Sequence, residues 1–101
     1  MTIRDFQAAI RAQYFTKDSS RGVGGTFLWF VEEIGELAEA LRHGTHEEKR
    51  AEFADVLAWL STLANMAGVD LEEAVAAKYG KGCPRCGGTP CGCAEPKGSP
   101  L

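Results

Sequence analysis

Proline and cysteine are confined to one end of this sequence, and that segregation constrains the fold more than any other feature. All four prolines and all four cysteines follow Tyr79, whereas the residues before it are rich in Ala, Leu and Glu. Proline and closely spaced glycine do not continue a helix. The sequence therefore predicts a folded body over residues 1–80 and an irregular Cys-rich tail over 81–101.

The body has the apolar periodicity of α-helices. Apolar residues recur every three or four positions from Ile3 to Tyr14, which predicts a first amphipathic helix. Residues 16–25 read TKDSSRGVGG and have the composition of a loop. Capping residues and glycines predict three further helices, over about 26–43, 45–67 and 70–78. No segment alternates as a strand does, so the expected fold class is all-α, with four helices and a central antiparallel hairpin.

Each of the two central helices carries two stripes of residues when positions are placed at 100° per residue. One stripe has the pattern of an ordinary core face: Phe27, Phe30, Val31, Ile34, Leu37, Ala38 and Leu41 in the second helix, and Phe53, Val56, Leu57, Leu60, Leu63 and Ala64 in the third. The other stripe of each helix combines carboxylates with a tryptophan. An antiparallel hairpin that turns at Gly44 would place residues equidistant from the turn opposite one another: Glu36 and Glu52, Glu33 and Asp55, Trp29 and Trp59.

The facing carboxylates predict a metal site. Carboxylates packed together repel, and without a neutralising cation they raise one another's pKa or destabilise the hairpin. Mg²⁺ suits such a cluster because it binds carboxylate oxygens at about 2.0–2.1 Å and keeps positions open for water and phosphate. We therefore expect Mg²⁺ between the two helices, with Mn²⁺ as an alternative ion. The competing interpretation is a solvated acidic face without function.

The paired acidic motifs Glu32-Glu33-x-x-Glu36 and Glu52-x-x-Asp55 resemble the signature of the MazG-type all-α nucleoside triphosphate pyrophosphohydrolases. The resemblance extends from about Phe6 to Tyr79, nearly the whole body. The resemblance implies a four-helix fold that assembles as a dimer or higher oligomer. It also implies Mg²⁺-dependent hydrolysis of a nucleoside triphosphate, NTP or dNTP, to the monophosphate and pyrophosphate. Residue by residue, it implies the metal ligands Glu33, Glu36, Glu52 and Asp55, with Glu32 as a catalytic helper near the metal or the attacking water.

Binding of a nucleotide also requires side chains that contact its phosphates and its base. Lys78 and Lys81 lie at the end of the fourth helix, where the family often has basic residues, and Arg21 lies in the expected loop, so all three are candidate phosphate ligands. Trp29 could stack on a base, although packing inside the hairpin or at a subunit interface is the other interpretation and is favoured for Trp59. No GxxxxGK[ST] motif is present, which argues against a P-loop enzyme.

The tail contains Cys83-Pro-Arg-Cys86 followed by Cys91-Gly-Cys93. Four thiols within so short a segment suggest structural Zn²⁺ held by thiolates. The C-x₂-C pair has a standard ligand spacing, but the C-x-C pair is tighter than usual. Free thiols or disulfides are the alternatives.

The net charge and the length of the sequence indicate which kinds of partner the protein binds. Eleven basic against fourteen acidic residues give a net charge of −3, which argues against stable nucleic-acid binding. No apolar run approaches the roughly 20 residues of a membrane span, and the N-terminal residues lack a secretory profile, so a cytoplasmic location away from membranes is expected. So short a body buries only about 60–65% of its unfolded surface, which favours a homodimer or higher homo-oligomer.

Three other functions fit the same residues. Phosphoribosyl-ATP pyrophosphohydrolases have a similar helical acidic site. A helical interaction module could bind a divalent ion without turnover, and an oligomeric scaffold could carry the acids as a plain solvated face. No residue in the sequence indicates a particular base.

Overall fold

The computed structural model describes residues 1–94, which form three helices and no strand. Helix α1 spans Ile3–His43, α2 spans His46–Ala67 and α3 spans Leu71–Tyr79. The expected all-α class is confirmed. The chain separates into two compact units, Met1–Leu71 and a second unit that begins at Glu72. Within the described residues, no helix combines the length and the apolar character that crossing a membrane requires.

The expected loop over residues 16–25 is wrong, because helix extends to Gly22 and resumes directly after it. The two helical segments that meet there are counted together as α1, which gives three helices instead of four. Only Gly22 leaves the helical region, with φ 84° and ψ 164°, so α1 kinks there and continues. Glycine adopts such a positive φ without steric penalty. Helical contacts support both sides of the kink: Arg21 pairs with Asp18 at 3.0 Å, and the Thr26 hydroxyl donates to the Gly22 carbonyl oxygen at 2.8 Å.

The turn between α1 and α2 follows the sequence closely. Gly44 caps α1 by donating its N–H to the Ala40 carbonyl oxygen at 2.7 Å. Thr45 and Glu48 form the expected capping box: the Glu48 N–H donates to Thr45 Oγ1 at 3.2 Å, and the Thr45 N–H donates to Glu48 Oε1 at 3.3 Å. Because two residues join the helices, α2 must run back along α1 as an antiparallel hairpin.

A buried glutamine fastens the start of α1 to the end of α2. Gln7 Nε2 donates to Asn65 Oδ1 at 3.0 Å and to the Val69 carbonyl oxygen at 2.7 Å. Gln7 Oε1 accepts the Leu71 N–H at 2.9 Å, and Asn65 Nδ2 donates to the Gln7 carbonyl oxygen at 3.2 Å. A buried amide whose donors and acceptor are all used holds the two helix ends in a single register.

Most of the two apolar stripes lies outside the core of the single chain, contrary to expectation, although Ala64 is buried. The buried residues of α1 and α2 are mostly small or polar and include Thr26, Ala40, Thr62 and Ala64. Much of the apolar stripe is exposed: Phe27, Val31, Ile34, Leu41, Phe53, Leu57 and Leu60. A two-helix hairpin has one inner face, and here small side chains occupy much of it, which leaves the large apolar residues outside.

The kink at Gly22 leads to a stability prediction. Gly22→Ala should lower the free energy of unfolding by about 1–3 kcal/mol, because a side chain is strained at this positive φ. A Cβ at Gly22 meets no atom within 4 Å, so the loss would come from the backbone alone. Gly24→Ala is the matched control, since its Cβ also meets nothing and the helical position favours Ala by about 0.5–1 kcal/mol.

Urea unfolding of both variants at one protein concentration measures the difference. Equal stabilities for the two variants would contradict a strained conformation at Gly22.

Candidate active site

Carboxylates from both helices of the hairpin meet at one place. Glu33 and Glu36 on α1 and Glu52 on α2 each offer an oxygen, and the three oxygens lie within 4.8 Å of one another. Positions three apart on a helix share a side, and the antiparallel hairpin turns that side toward α2. The structure thus brings together three of the four carboxylates expected to bind metal, and their role as ligands stays a prediction.

The cluster is electrostatically unfavourable without a cation. Burial, followed by the charges of Glu36, Asp55 and Glu52, raises the pKa of Glu33 from 4.5 to about 7. Burial and the charges of Glu36 and Asp55 also raise the pKa of Glu52. Glu33 Oε2 and Glu52 Oε2 are buried and have no hydrogen-bond partner among residues 1–94. Buried, unpaired oxygens on mutually repelling carboxylates fit a site for a hard cation.

Asp55 and Glu32 lie outside the group of three oxygens, and only Asp55 interacts with it electrostatically. Asp55 is outside the three-oxygen group, but its charge raises the pKa of both Glu33 and Glu52, and it lines an adjoining cavity. Successive residues of an α-helix project about 100° apart, so Glu32 does not share the side of α1 that carries Glu33. Glu32 is exposed. The catalytic role of Glu32 therefore stays a prediction.

A cavity of about 370 Å³ opens beside Asp55. Its wall contains aromatic and charged side chains, among them Tyr14, Lys17, Asp18, Arg21 and Trp59. Aromatic surface combined with a few placed polar groups is characteristic of small-molecule sites. The cavity lies within the first unit, where the kinked part of α1 faces α2.

Arg21 is held at this cavity by three contacts. Its Nη1 pairs with Asp18 Oδ1 at 3.0 Å and donates to Thr26 Oγ1 at 3.2 Å, and its guanidinium lies 4.9 Å from the centre of the Trp59 ring. Asp18 is buried, and sequence reasoning missed it because the segment was expected to be a loop. The i,i+3 spacing of Asp18 and Arg21 would have revealed the pair on a helix.

The two tryptophans stack on each other across the hairpin. The Trp29 and Trp59 ring centres are 6.1 Å apart and the ring planes differ by 12°. This contact supports the packing interpretation for Trp59 and occupies part of Trp29, which remains 47% exposed. A base-stacking role for Trp29 stays a prediction.

Two of the three expected basic phosphate ligands, Lys78 and Lys81, lie in the second unit, whereas Arg21 lies in the first. Lys78 is in the last turn of α3, with its Nζ 5.7 Å from the centre of the Tyr79 ring. Lys81 follows in the turn after α3. Their contacts with phosphate stay predictions.

Carboxylates from both helices of the hairpin thus meet at one place, as the paired acidic motifs predicted. The family model of the MazG nucleotide pyrophosphohydrolase domain matches residues 24–87, more than half of the chain and all of the clustered acids. The chain belongs to this family and is a nucleotide pyrophosphohydrolase. It is 40% identical over 77 residues to a dATP/dGTP diphosphohydrolase of Cyanophage S-2L, covering 76% of this chain and 70% of the relative.

The pKa of Glu33 predicts a pH dependence of stability without added divalent cations. Because the pKa is about 7 in the folded chain and 4.5 ordinarily, the folded state holds the additional proton between these values. The free energy of unfolding should therefore fall as the pH rises from 4.5 to 7 and level off above that.

Urea unfolding across this pH range would measure the effect. Glu33→Gln should flatten the fall, whereas Glu39→Gln, which alters an exposed glutamate of the same helix, should leave it in place. A fall that persists unchanged in Glu33→Gln would contradict the assignment.

Proposed function

We propose that this chain hydrolyses a nucleoside triphosphate to the monophosphate and pyrophosphate with Mg²⁺, or Mn²⁺ as an alternative, held by Glu33, Glu36, Glu52 and Asp55. The observation that carries the proposal is the convergence of three carboxylate oxygens within 4.8 Å, two of these carboxylates having a buried oxygen without a partner. The charge of Asp55, felt by both Glu33 and Glu52, supports it as the fourth ligand.

The proposed reaction is an attack of water on the α-phosphorus, with separate roles for the bound cation, Glu33 and Glu32. The water oxygen bonds to the α-phosphorus, the bond between that phosphorus and the bridging oxygen breaks, and pyrophosphate leaves. Bound Mg²⁺ supplies positive charge for the phosphate oxygens and lowers the pKa of water. Glu33 gives up its proton when it becomes a ligand, so cation binding releases protons near pH 7. Glu32 is suited to accept the proton of the attacking water.

The substrate is proposed to be a purine deoxynucleoside triphosphate. The relative from Cyanophage S-2L is a dATP/dGTP diphosphohydrolase, and it aligns with 76% of this chain. The cavity beside Asp55 adjoins the carboxylate cluster and contains Trp59 and the fixed guanidinium of Arg21. Flat cationic and aromatic groups accept a nucleobase by stacking, so we assign the base to this cavity.

Removal of a proposed metal ligand should abolish most of the activity. Glu36→Gln and Asp55→Asn should each lower kcat/KM by about 100-fold, equivalent to about 3 kcal/mol of transition-state stabilisation. Glu39→Gln keeps the cluster intact and should retain activity.

Pyrophosphate release should be measured over a panel of NTPs and dNTPs with and without Mg²⁺. The panel should include phosphoribosyl-ATP, the substrate of the rival pyrophosphohydrolase. Highest activity with phosphoribosyl-ATP would overturn the proposed substrate, and undiminished activity after metal removal would overturn the proposed role of Mg²⁺.

We also propose that the chain works as a homodimer or higher homo-oligomer. The apolar stripe is exposed on both helices of the hairpin, with Phe27 at 52% and Phe53 at 55% exposure. Contiguous exposed apolar surface marks an interaction site. A second copy presents the same stripe, so two hairpins can cover each other in a symmetric, isologous contact and form a helical bundle.

A matched pair of valines tests this assembly. Val31 on the stripe and Val75 on α3 are almost equally exposed, at 48% and 49%. Val31→Glu should shift the protein toward monomer in sedimentation analysis because it places a charge in the interface, whereas Val75→Glu should not. A wild-type protein that sediments as a monomer at micromolar concentration would contradict the proposal.

A further inference from the structure

The four cysteines after α3 converge on one point. Their sulfur atoms all lie within 4.8 Å of one another, with Cys83 and Cys93 3.8 Å apart and Cys86 and Cys91 4.0 Å apart. A tetrahedral zinc ion with Zn–S bonds of about 2.3 Å separates its sulfur ligands by about 3.8 Å. The sulfurs are therefore spaced as the corners of a zinc site, and all four cysteines are free thiols.

The backbone around the sulfurs donates hydrogen bonds to them. The N–H groups of Gly88 and Gly92 point to Cys86 Sγ at 3.4 and 3.3 Å, and the Cys93 N–H points to Cys91 Sγ at 3.3 Å. Such bonds stabilise negative charge on sulfur and orient thiolate ligands in metal centres. The close C-x-C spacing is thus accommodated, since both Cys91 and Cys93 turn their sulfurs inward.

A tight turn gives the first cysteine pair its shape. The Gly87 N–H donates to the Cys83 carbonyl oxygen at 2.7 Å, and the Cys83 N–H donates to the Gly88 carbonyl oxygen at 3.1 Å. Gly87 adopts φ 73°, which a residue with a side chain rarely does. The turn brings the sulfurs of Cys83 and Cys86 to the same side.

This segment has no hydrophobic core that could hold the turn in place. No residue between Glu72 and Ala94 is buried. Segments too small to build a core depend on disulfides or a structural metal, and metal binding then supplies folding free energy. Four unneutralised thiolates this close would instead repel one another.

We propose that Cys83, Cys86, Cys91 and Cys93 together bind one structural Zn²⁺ ion. Thiolates are soft ligands that select zinc, whereas the carboxylates of the hairpin select a hard cation. Four protein ligands leave no open coordination position, so the ion holds the segment together and takes no part in hydrolysis. The matched MazG domain ends at residue 87, so Cys91 and Cys93 place this centre partly beyond that domain.

Metal content and thiol reactivity test the proposal directly. Protein purified under reducing conditions without chelator should contain one zinc ion per chain, as measured by inductively coupled plasma mass spectrometry. Its thiols should react slowly with a thiol reagent until a chelator is added. Cys86→Ser should lose most of the zinc, whereas Arg85→Ser, which alters the neighbouring position and keeps all four thiols, should retain it.

Two further measurements distinguish the alternatives without relying on enzymatic activity. Cobalt reconstitution should give the intense visible absorption of a tetrahedral thiolate site, and zinc removal should accelerate tryptic cleavage after Lys81 and Arg85. Stoichiometric iron, native disulfides, or metal-free protein with four immediately reactive thiols would each overturn the assignment. Zinc bound by a protein that releases no pyrophosphate would still support it.

Discussion

Repulsion between carboxylates on facing helices is the interaction around which the first unit of this protein is organised. Two residues join α1 to α2, so Glu33 and Glu52 are held together although their charges oppose it. Burial and neighbouring charge raise the pKa of Glu33 to about 7, so part of the folding free energy is stored as electrostatic strain. A cation that relieves the strain binds the folded state preferentially and stabilises it. The proposed affinity for a divalent cation and the lower stability expected without it would therefore have one cause.

The hairpin carries its carboxylate cluster and its exposed apolar residues on different sides. Thr26, Ala40 and Thr62 occupy its buried side, and small side chains allow the two helices to approach closely enough for the acids to meet. The large apolar residues project from the same helices on another side and remain exposed. In the proposed homo-oligomer, this division would let a second copy cover the apolar stripe while the carboxylates stay available to a nucleotide.

The parts of the fold that depend on local spacing could be predicted from the sequence. The Thr45–Glu48 capping box, the end of α1 at Gly44 and the contact between Trp29 and Trp59 follow from helical periodicity about one turn. The kinked segment could not be predicted in this way, because composition does not show the ion pair between Asp18 and Arg21 that supports helix before Gly22. A single glycine with φ 84° redirects the chain where ten residues were expected to form a loop. Asp18, a buried residue of the cavity wall, was missed for the same reason.

Residue spacing determined which side chains share a face of each helix, because the helical repeat is a local property of the backbone. It also determined that four thiols lie close together along the chain. Only the tertiary structure decided which face of the hairpin turns inward, since an apolar stripe is equally well buried by its own chain or by another copy. Likewise, only the folded turns brought the four sulfurs within 4.8 Å of one another, because that distance depends on backbone angles at Gly87 and its neighbours that no spacing of cysteines specifies.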